Sequence, residues 1–223
     1  NPMVGCVIVH NDQILAEEYH QQFGGPHAEV NAINGIANKE LLPQATLYVN
    51  LEPCAHHGKT PPCANLIIES GIKQVVVGCV DTFSEVSGKG IEKLKQAGCH
   101  VQVGVLEQQC RELNKRFFTY HEKQRPYIIL KWAQTQDGFI DKERNGKKGV
   151  NWISSDQTKR LVHRWRSEEQ AILVGENTVR NDDPQLTTRL VEGPSPIRIV
   201  LGNAPRDAGV FNELAPTLHY PNI

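Results

Sequence analysis

Three residues able to ligate zinc lie in two short stretches, and any fold this chain adopts must bring them to one point. Gly24-Gly25-Pro26-His27-Ala28-Glu29 supplies a histidine, and Glu52-Pro53-Cys54 followed by Ala55-His56-His57-Gly58-Lys59-Thr60-Pro61-Pro62-Cys63 supplies two cysteines. One histidine and two thiolates hold Zn²⁺ and leave the fourth corner of its tetrahedron for water. Glu29 follows the histidine by two residues, where a carboxylate can reach that water without ligating the metal.

The chemistry explains the residue types. Hydrolysis at an amidine-like ring carbon needs hydroxide near neutral pH, and a catalytic zinc lowers the pKa of its water from about 15.7 to about 7. A carboxylate within hydrogen-bond reach can then carry the proton to the ring and on to the departing ammonia. His-x-Glu followed by Pro-Cys and a second Cys is the signature of zinc-dependent nucleobase deaminases. We therefore expect His27, Cys54 and Cys63 on zinc and Glu29 as proton shuttle. A purely structural site would close with a fourth protein ligand, here His56 or His57.

The 223 residues suit one large domain or two modest ones, by the usual ~100–200 residues per domain. Hydrophobic residues make up 39% and charged residues 22%, so a globular core is available and disorder is not indicated. A net charge of −1, from 24 basic and 25 acidic residues, gives no basic footprint for nucleic acid and favours a small free substrate. Cys6, Cys79, Cys99 and Cys110 fall in or beside apolar or amphipathic stretches. They read as buried free thiols, which fits a reducing cytoplasm. No apolar run approaches the ~18 residues of a membrane span. The chain opens at Asn1 without methionine, directly at a strand-like segment, so a natural N-terminus upstream is expected.

Taken in order, residues 3–9 and 13–20 predict two strands of a hairpin turning at 10–12. Apolar spacing predicts a helix from His27 to about Asn38. Strands at 46–51 and 75–79 flank a helix at 63–70 with Cys63 in its first turn. A helix at 88–97, a strand at 101–105 and a helix at about 107–120 complete an α/β layer on a partly parallel sheet. The first domain is expected to span 1–121. The polar, proline-ended stretch 121–126 is the linker candidate, and a second domain spans 127–223. That domain should hold strands at 127–133, 171–175 and 197–201, a polar loop at 134–149, and a helix capped at Ser155-Asp156. Helical turns should follow at 176–180, with no evident closing element after 201.

The order of these motifs resembles the bifunctional riboflavin-biosynthesis deaminase/reductase family. Carrying the resemblance in the first half are Asn1-Pro-Met-Val-Gly-Cys6, Gly25-Pro-His-Ala-Glu29 and the run Glu52 to Cys63, whose eight residues between the cysteines look specific to the riboflavin branch. The second half adds Arg125-Pro-Tyr, Lys131-Trp-Ala133, Asp137-Gly138, Trp152-Ile-Ser-Ser155, Val174-Gly175, Thr178-Val179 and Asp182-Asp-Pro-Gln-Leu-Thr-Thr-Arg189.

The resemblance implies a cytidine-deaminase-like α/β/α domain followed by a dihydrofolate-reductase-like domain. The first would remove an amino group from 2,5-diamino-6-ribosylamino-4(3H)-pyrimidinone 5′-phosphate. The second would reduce the ribose of the product with NADPH. By the same resemblance, Lys59 faces the substrate phosphate as a point charge. Asn1 and His20 stand near the substrate, with His56 behind them. Arg166, Leu186 and Arg189 match substrate positions of the reductase. Ala133, Trp152, Thr178 and Asp182 match nicotinamide-cofactor positions. No glycine-rich fingerprint of the Rossmann kind is present.

The family's reductase continues into a glycine-rich phosphate turn and an acidic residue that these residues lack, so the second domain is expected to be incomplete here. The expected partner is the phosphorylated pyrimidine, with no nucleic acid and no membrane; a homo-oligomer is allowed. The rival reading is a deaminase whose second domain only binds or oligomerises.

Overall fold

The computed structural model describes residues 1–57, 61–82, 87–213 and 215–221, and divides into two compact units, Asn1–Ile129 and Leu130–Ile223. In the first unit β1 (Gly5–His10) and β2 (Gln13–Tyr19) form an antiparallel hairpin. Its two turn residues, Asn11 and Asp12, take φ of 49° and 59°. Short polar side chains tolerate that left-handed geometry, which two-residue hairpin turns demand.

After α1 (Ala28–Gly35) and a 3-10 turn at Lys39–Gln44, β3 (Thr46–Leu51) pairs antiparallel with β1. The chain then crosses over twice, through α2 (Cys63–Glu69) to β4 (Gln74–Cys79) and through α3 (Lys89–Gln96) to β5 (His100–Val103). Both crossovers give parallel neighbours, so the five-stranded sheet runs β2-β1-β3-β4-β5 and is partly parallel as its alternating pattern predicts.

Inward residues Ile8, Leu47, Val75 and Val77 pack on Ala28, Ala32 and Ile33 of α1, Ile67 of α2 and Leu94 of α3. Each large branched side chain removed from water there contributes about 1.5–3 kcal/mol. The opposite face takes α4 (Glu107–Leu113) and α5 (Lys115–Lys123). Gly78 lets α4 approach, since a Cβ there would lie 2.4 Å from Cys110 Sγ. All six cysteines are free thiols; Cys6, Cys79 and Cys99 are buried, and Cys110 is half-buried.

Three local expectations need correction in this unit. α1 ends at Gly35 rather than near 38, because glycine is a weak helix former and Ile36 turns extended. The single helix expected at 107–120 is two, broken at Asn114, whose side chain is engaged elsewhere in the fold. The polar stretch 121–126 is helical as far as Lys123.

The second unit holds α6 (Asp156–Glu168), β6 (Ala171–Gly175), α7 (Glu176–Asp182), β7 (Ile197–Leu201) and β8 (Thr217–Tyr220). Ser155 caps α6 as expected, its hydroxyl accepting from Thr158 N at 3.3 Å. The sheet is parallel, in the order β6-β7-β8. One face buries Val200 with Val179, Leu186, Ala204 and Val210. The other presents Leu173, Ile197, Leu218 and Tyr220, each at least 40% exposed.

β8 corrects the expectation of no closing element: its four residues follow a proline-rich stretch and are too short to show periodicity. The strand expected at 127–133 is absent. Its residues join neither sheet, and Leu130 is 78% exposed. β-propensity expresses fit to a neighbouring strand, and no described strand pairs with this segment. No described helix is long and apolar enough to cross a membrane.

Candidate active site

The sheet places the ligand-bearing loops together. β1 and β3 are neighbours; α1 begins just after the loop leaving β2, and the Cys54 loop leaves the end of β3. His27 is the N-cap of α1 and Cys63 is the first residue of α2, so two helix N-termini converge. His27 Nδ1 lies 3.1 Å from Cys63 Sγ and 3.6 Å from Cys54 Sγ. A tetrahedral zinc with bonds of about 2.0 Å to nitrogen and 2.3 Å to sulfur spaces its ligands roughly 3.5–3.8 Å apart, so contraction of the set is slight. All three ligand atoms fall within 4.8 Å of one another. Neither His56 nor His57 joins them among the described residues, so the set has three members, as a catalytic site requires.

Electrostatics fit a cation at this point. Cys54 is pushed down to about 4, first by its hydrogen bond with Cys63 and then by the His27 ring. Its sulfur also accepts the Cys63 backbone N–H at 3.3 Å, one of the donors left unpaired at the start of α2. Cys63 is pushed up, because its thiol proton is shared with Cys54 and its surroundings are buried. His27 is raised by its bond to Cys54. With both sulfurs deprotonated the pair would need a counter-charge, which a divalent cation would supply.

Glu29 stands beside the ligand set. It is 3% exposed, and burial pushes its carboxyl up to about 7. A carboxyl that gains and loses its proton near neutral pH is suited to general acid–base work.

Glu52 is a residue whose role the sequence did not reveal. Its buried carboxylate accepts backbone N–H bonds from Asp81 at 3.2 Å, Gly88 and Gly90 at 2.9 Å, and Ile91 at 3.2 Å. It thereby satisfies the first turn of α3 and fastens that helix to the Pro53-Cys54 loop. Gly90 allows the approach: a Cβ there would sit 1.8 Å from Pro53 O. The only signal in the sequence was a carboxylate directly before Pro-Cys.

Asn1 and His20 are brought together near His27. Asn1 Nδ2 donates to His20 Nε2 at 3.3 Å, and His20 Nδ1 donates to Pro26 O at 3.0 Å. The His20 ring meets the His27 ring edge-on, centroids 5.4 Å apart. His56 is half-buried on the Cys54 loop and His57 is exposed. Lys59 lies outside the described residues.

In the second unit Arg166 and Arg189 meet at Thr187, while Leu186, its chain neighbour, is packed in the core. Arg166 Nη1 donates to Thr187 O at 3.1 Å, and Arg189 Nη1 to Thr187 Oγ1 at 2.8 Å. His163 joins them, its Nδ1 accepting Arg189 N–H at 2.9 Å. Arg166 is pulled below the usual guanidinium range by burial and by Arg189, as befits two cations held close together.

The four cofactor-matching residues show no such mutual contacts. Asp182 takes Arg144 Nη2 at 2.8 Å, while Lys159 lies 3.7 Å over the Trp152 ring. Thr178 is exposed on α7, and Ala133 is half-buried outside any helix or strand.

Residues 1–79 match the family of cytidine and deoxycytidylate deaminase zinc-binding regions, and residues 126–219 match the RibD C-terminal domain. The riboflavin biosynthesis protein RibD of Aquifex aeolicus is 49% identical over 98% of this chain. A Thermotoga maritima diaminohydroxyphosphoribosylaminopyrimidine deaminase/5-amino-6-(5-phosphoribosylamino)uracil reductase superposes with a TM-score of 0.89 at 46% identity over 98% of the chain. Acinetobacter baumannii RibD superposes with a TM-score of 0.83 at 33% identity, covering the whole chain and 68% of that protein. The chain spans 61% of the Aquifex protein and 63% of the Thermotoga one.

Proposed function

Because this chain belongs to the RibD family, we propose that its first unit is a zinc-dependent deaminase of a phosphorylated diaminopyrimidine and its second a reductase using NADPH. The observation that carries the reading is buried Glu29 beside the His27, Cys54 and Cys63 set. Zn²⁺ held there would act as a Lewis acid that acidifies a water. Glu29 would take one proton from the attacking water and give it to the ring nitrogen, then take the remaining hydroxyl proton and give it to the amino group that leaves as ammonia. Burial supports both directions, because it holds the carboxyl near the working pH. Asn1, His20 and His56 line the approach to Glu29, and Lys59 takes the substrate phosphate.

In the second unit Arg166 and Arg189 bind the phosphate of the deaminated product, with Leu186 against the substrate. A pair of guanidiniums with no carboxylate partner in the described contacts suits an anion. Ala133, Trp152, Thr178 and Asp182 face the nicotinamide cofactor. We assign this unit a dihydrofolate-reductase-like fold, supported by its parallel strands with helical crossovers. The partners so implied are small molecules in the cytoplasm.

A second reading keeps the deaminase and gives the second unit a binding role only. The engagement of Asp182 by Arg144 favours it. One experiment separates them. Ammonia release from the diaminopyrimidine ribosyl phosphate is followed together with NADPH oxidation, for wild type and Glu29→Gln. Loss of about 10²–10⁴ in ammonia release by the variant is expected. NADPH consumption that follows ammonia supports both activities; ammonia without it leaves the binding role. A folded, zinc-loaded wild type that releases no ammonia refutes the deaminase.

A further inference from the structure

We propose that Asn114 is a positioning residue of the first site: its side-chain amide fixes the backbone of Met3 and so sets where Asn1 stands. The segment ahead of β1 belongs to no strand, yet Met3 is held on both of its backbone groups. Its N–H donates to Asn114 Oδ1 at 2.7 Å, and its carbonyl accepts from Asn114 Nδ2 at 3.0 Å and from Asn50 Nδ2 at 2.8 Å. Asn50 Oδ1 in turn accepts Gly5 N–H at 2.8 Å, tying the clamp to the first residue of β1.

Asn114 is 2% exposed and occupies the break between α4 and α5. A buried amide must be satisfied, and here the backbone N–H and C=O of one residue, Met3, satisfy its acceptor and its donor. No other side chain of this size offers both; aspartate lacks the donor and leucine lacks either.

From Met3 the constraint reaches the site in two steps. Val4 O accepts His20 N–H at 2.9 Å, which ties the segment ahead of β1 to the residue following β2. Asn1 Nδ2 then donates to His20 Nε2, while the other ring nitrogen holds Pro26 O, the residue preceding the ligand His27. An amide 111 positions from Met3 therefore sets how Asn1 stands against His20, whose ring meets that of His27. That Asn1 touches substrate rests on the proposed deaminase reading; the clamp itself does not.

The test is a double-variant cycle on ammonia release, with zinc content measured for each protein. Loss of one satisfied hydrogen-bonding group is worth about 1.4 kcal/mol, so Asn114→Ala should raise KM about tenfold, with zinc retained and kcat changed less. Asn1→Ala should do the same, and the combined variant should be no worse than Asn1→Ala alone. Independent, multiplicative losses would overturn the proposal, as would an unaltered KM in folded Asn114→Ala. Asn50→Ala, which removes the second hold on the Met3 carbonyl, serves in the same cycle should Asn114→Ala fail to fold.

The ring nitrogen resonances of His20 give a readout without turnover. They should shift in Asn114→Ala in the same sense as in Asn1→Ala, and unchanged resonances overturn the clamp. A wild type that releases no ammonia would refute the proposed reaction instead, and the His20 resonances would then decide the clamp.

Discussion

A histidine between two guanidiniums folds comfortably only while neutral. His163 is 6% exposed and is pushed down to about 4, mainly by burial and then by Arg166 and Arg189. Its Nδ1 must also stay unprotonated to accept the Arg189 N–H. In the unfolded chain the ring titrates near 6.5, so between pH 6.5 and 4 the unfolded state binds the extra proton. The stabilisation is complete above pH 6.5 and is lost as pH falls toward 4. At pH 5 the expected loss relative to pH 7 is about 2 kcal/mol. Urea unfolding followed by tryptophan fluorescence reads this unit selectively, since Trp132, Trp152 and Trp165 all lie in it. Wild type should lose more stability at pH 5 than His163→Gln; equal losses would contradict the assignment.

At the scale of elements, the contact between α3 and the Pro53-Cys54 loop decides a sign. Glycine inside a helix is normally less stable than alanine by about 1 kcal/mol, so propensity alone predicts that Gly90→Ala stabilises. A Cβ 1.8 Å from Pro53 O, a backbone atom that cannot rotate away, predicts the opposite. We expect Gly90→Ala to cost about 3 kcal/mol and to lower bound zinc by displacing the Cys54 loop. Urea midpoints and metal content together check it; a variant as stable as wild type would show that α3 can shift freely.

Elements differed in how far sequence betrayed them, for physical reasons. The zinc ligands were legible because histidine and cysteine are chemically marked and sit close together in the chain. β1, β3 and β4 were legible because each carries several apolar residues that find a neighbour, and β2 and β5 because a turn or crossover signal brackets them. Residues 127–133 carry an equally good run and form no strand, since composition does not report whether a partner is present. β8 failed for the reverse reason, being short but well paired. Glu52, Asn50 and Asn114 were invisible because their partners are backbone groups, which look alike in every sequence.

The whole molecule is two units with separate cores, each built around its own sheet. Within the first, the two kinds of contact that make the site differ greatly in reach. His27 and Cys63 are 36 positions apart, whereas Met3 and Asn114 are 111 apart. Contacts between distant positions close later in folding, because more chain entropy is spent before they form. The order of assembly follows. During refolding with zinc present, metal uptake should precede protection of the Met3 amide from hydrogen exchange, as pulse labelling can measure; simultaneous acquisition would contradict it. A newly made chain would therefore pass through a stage that already holds its metal while its mouth is still open.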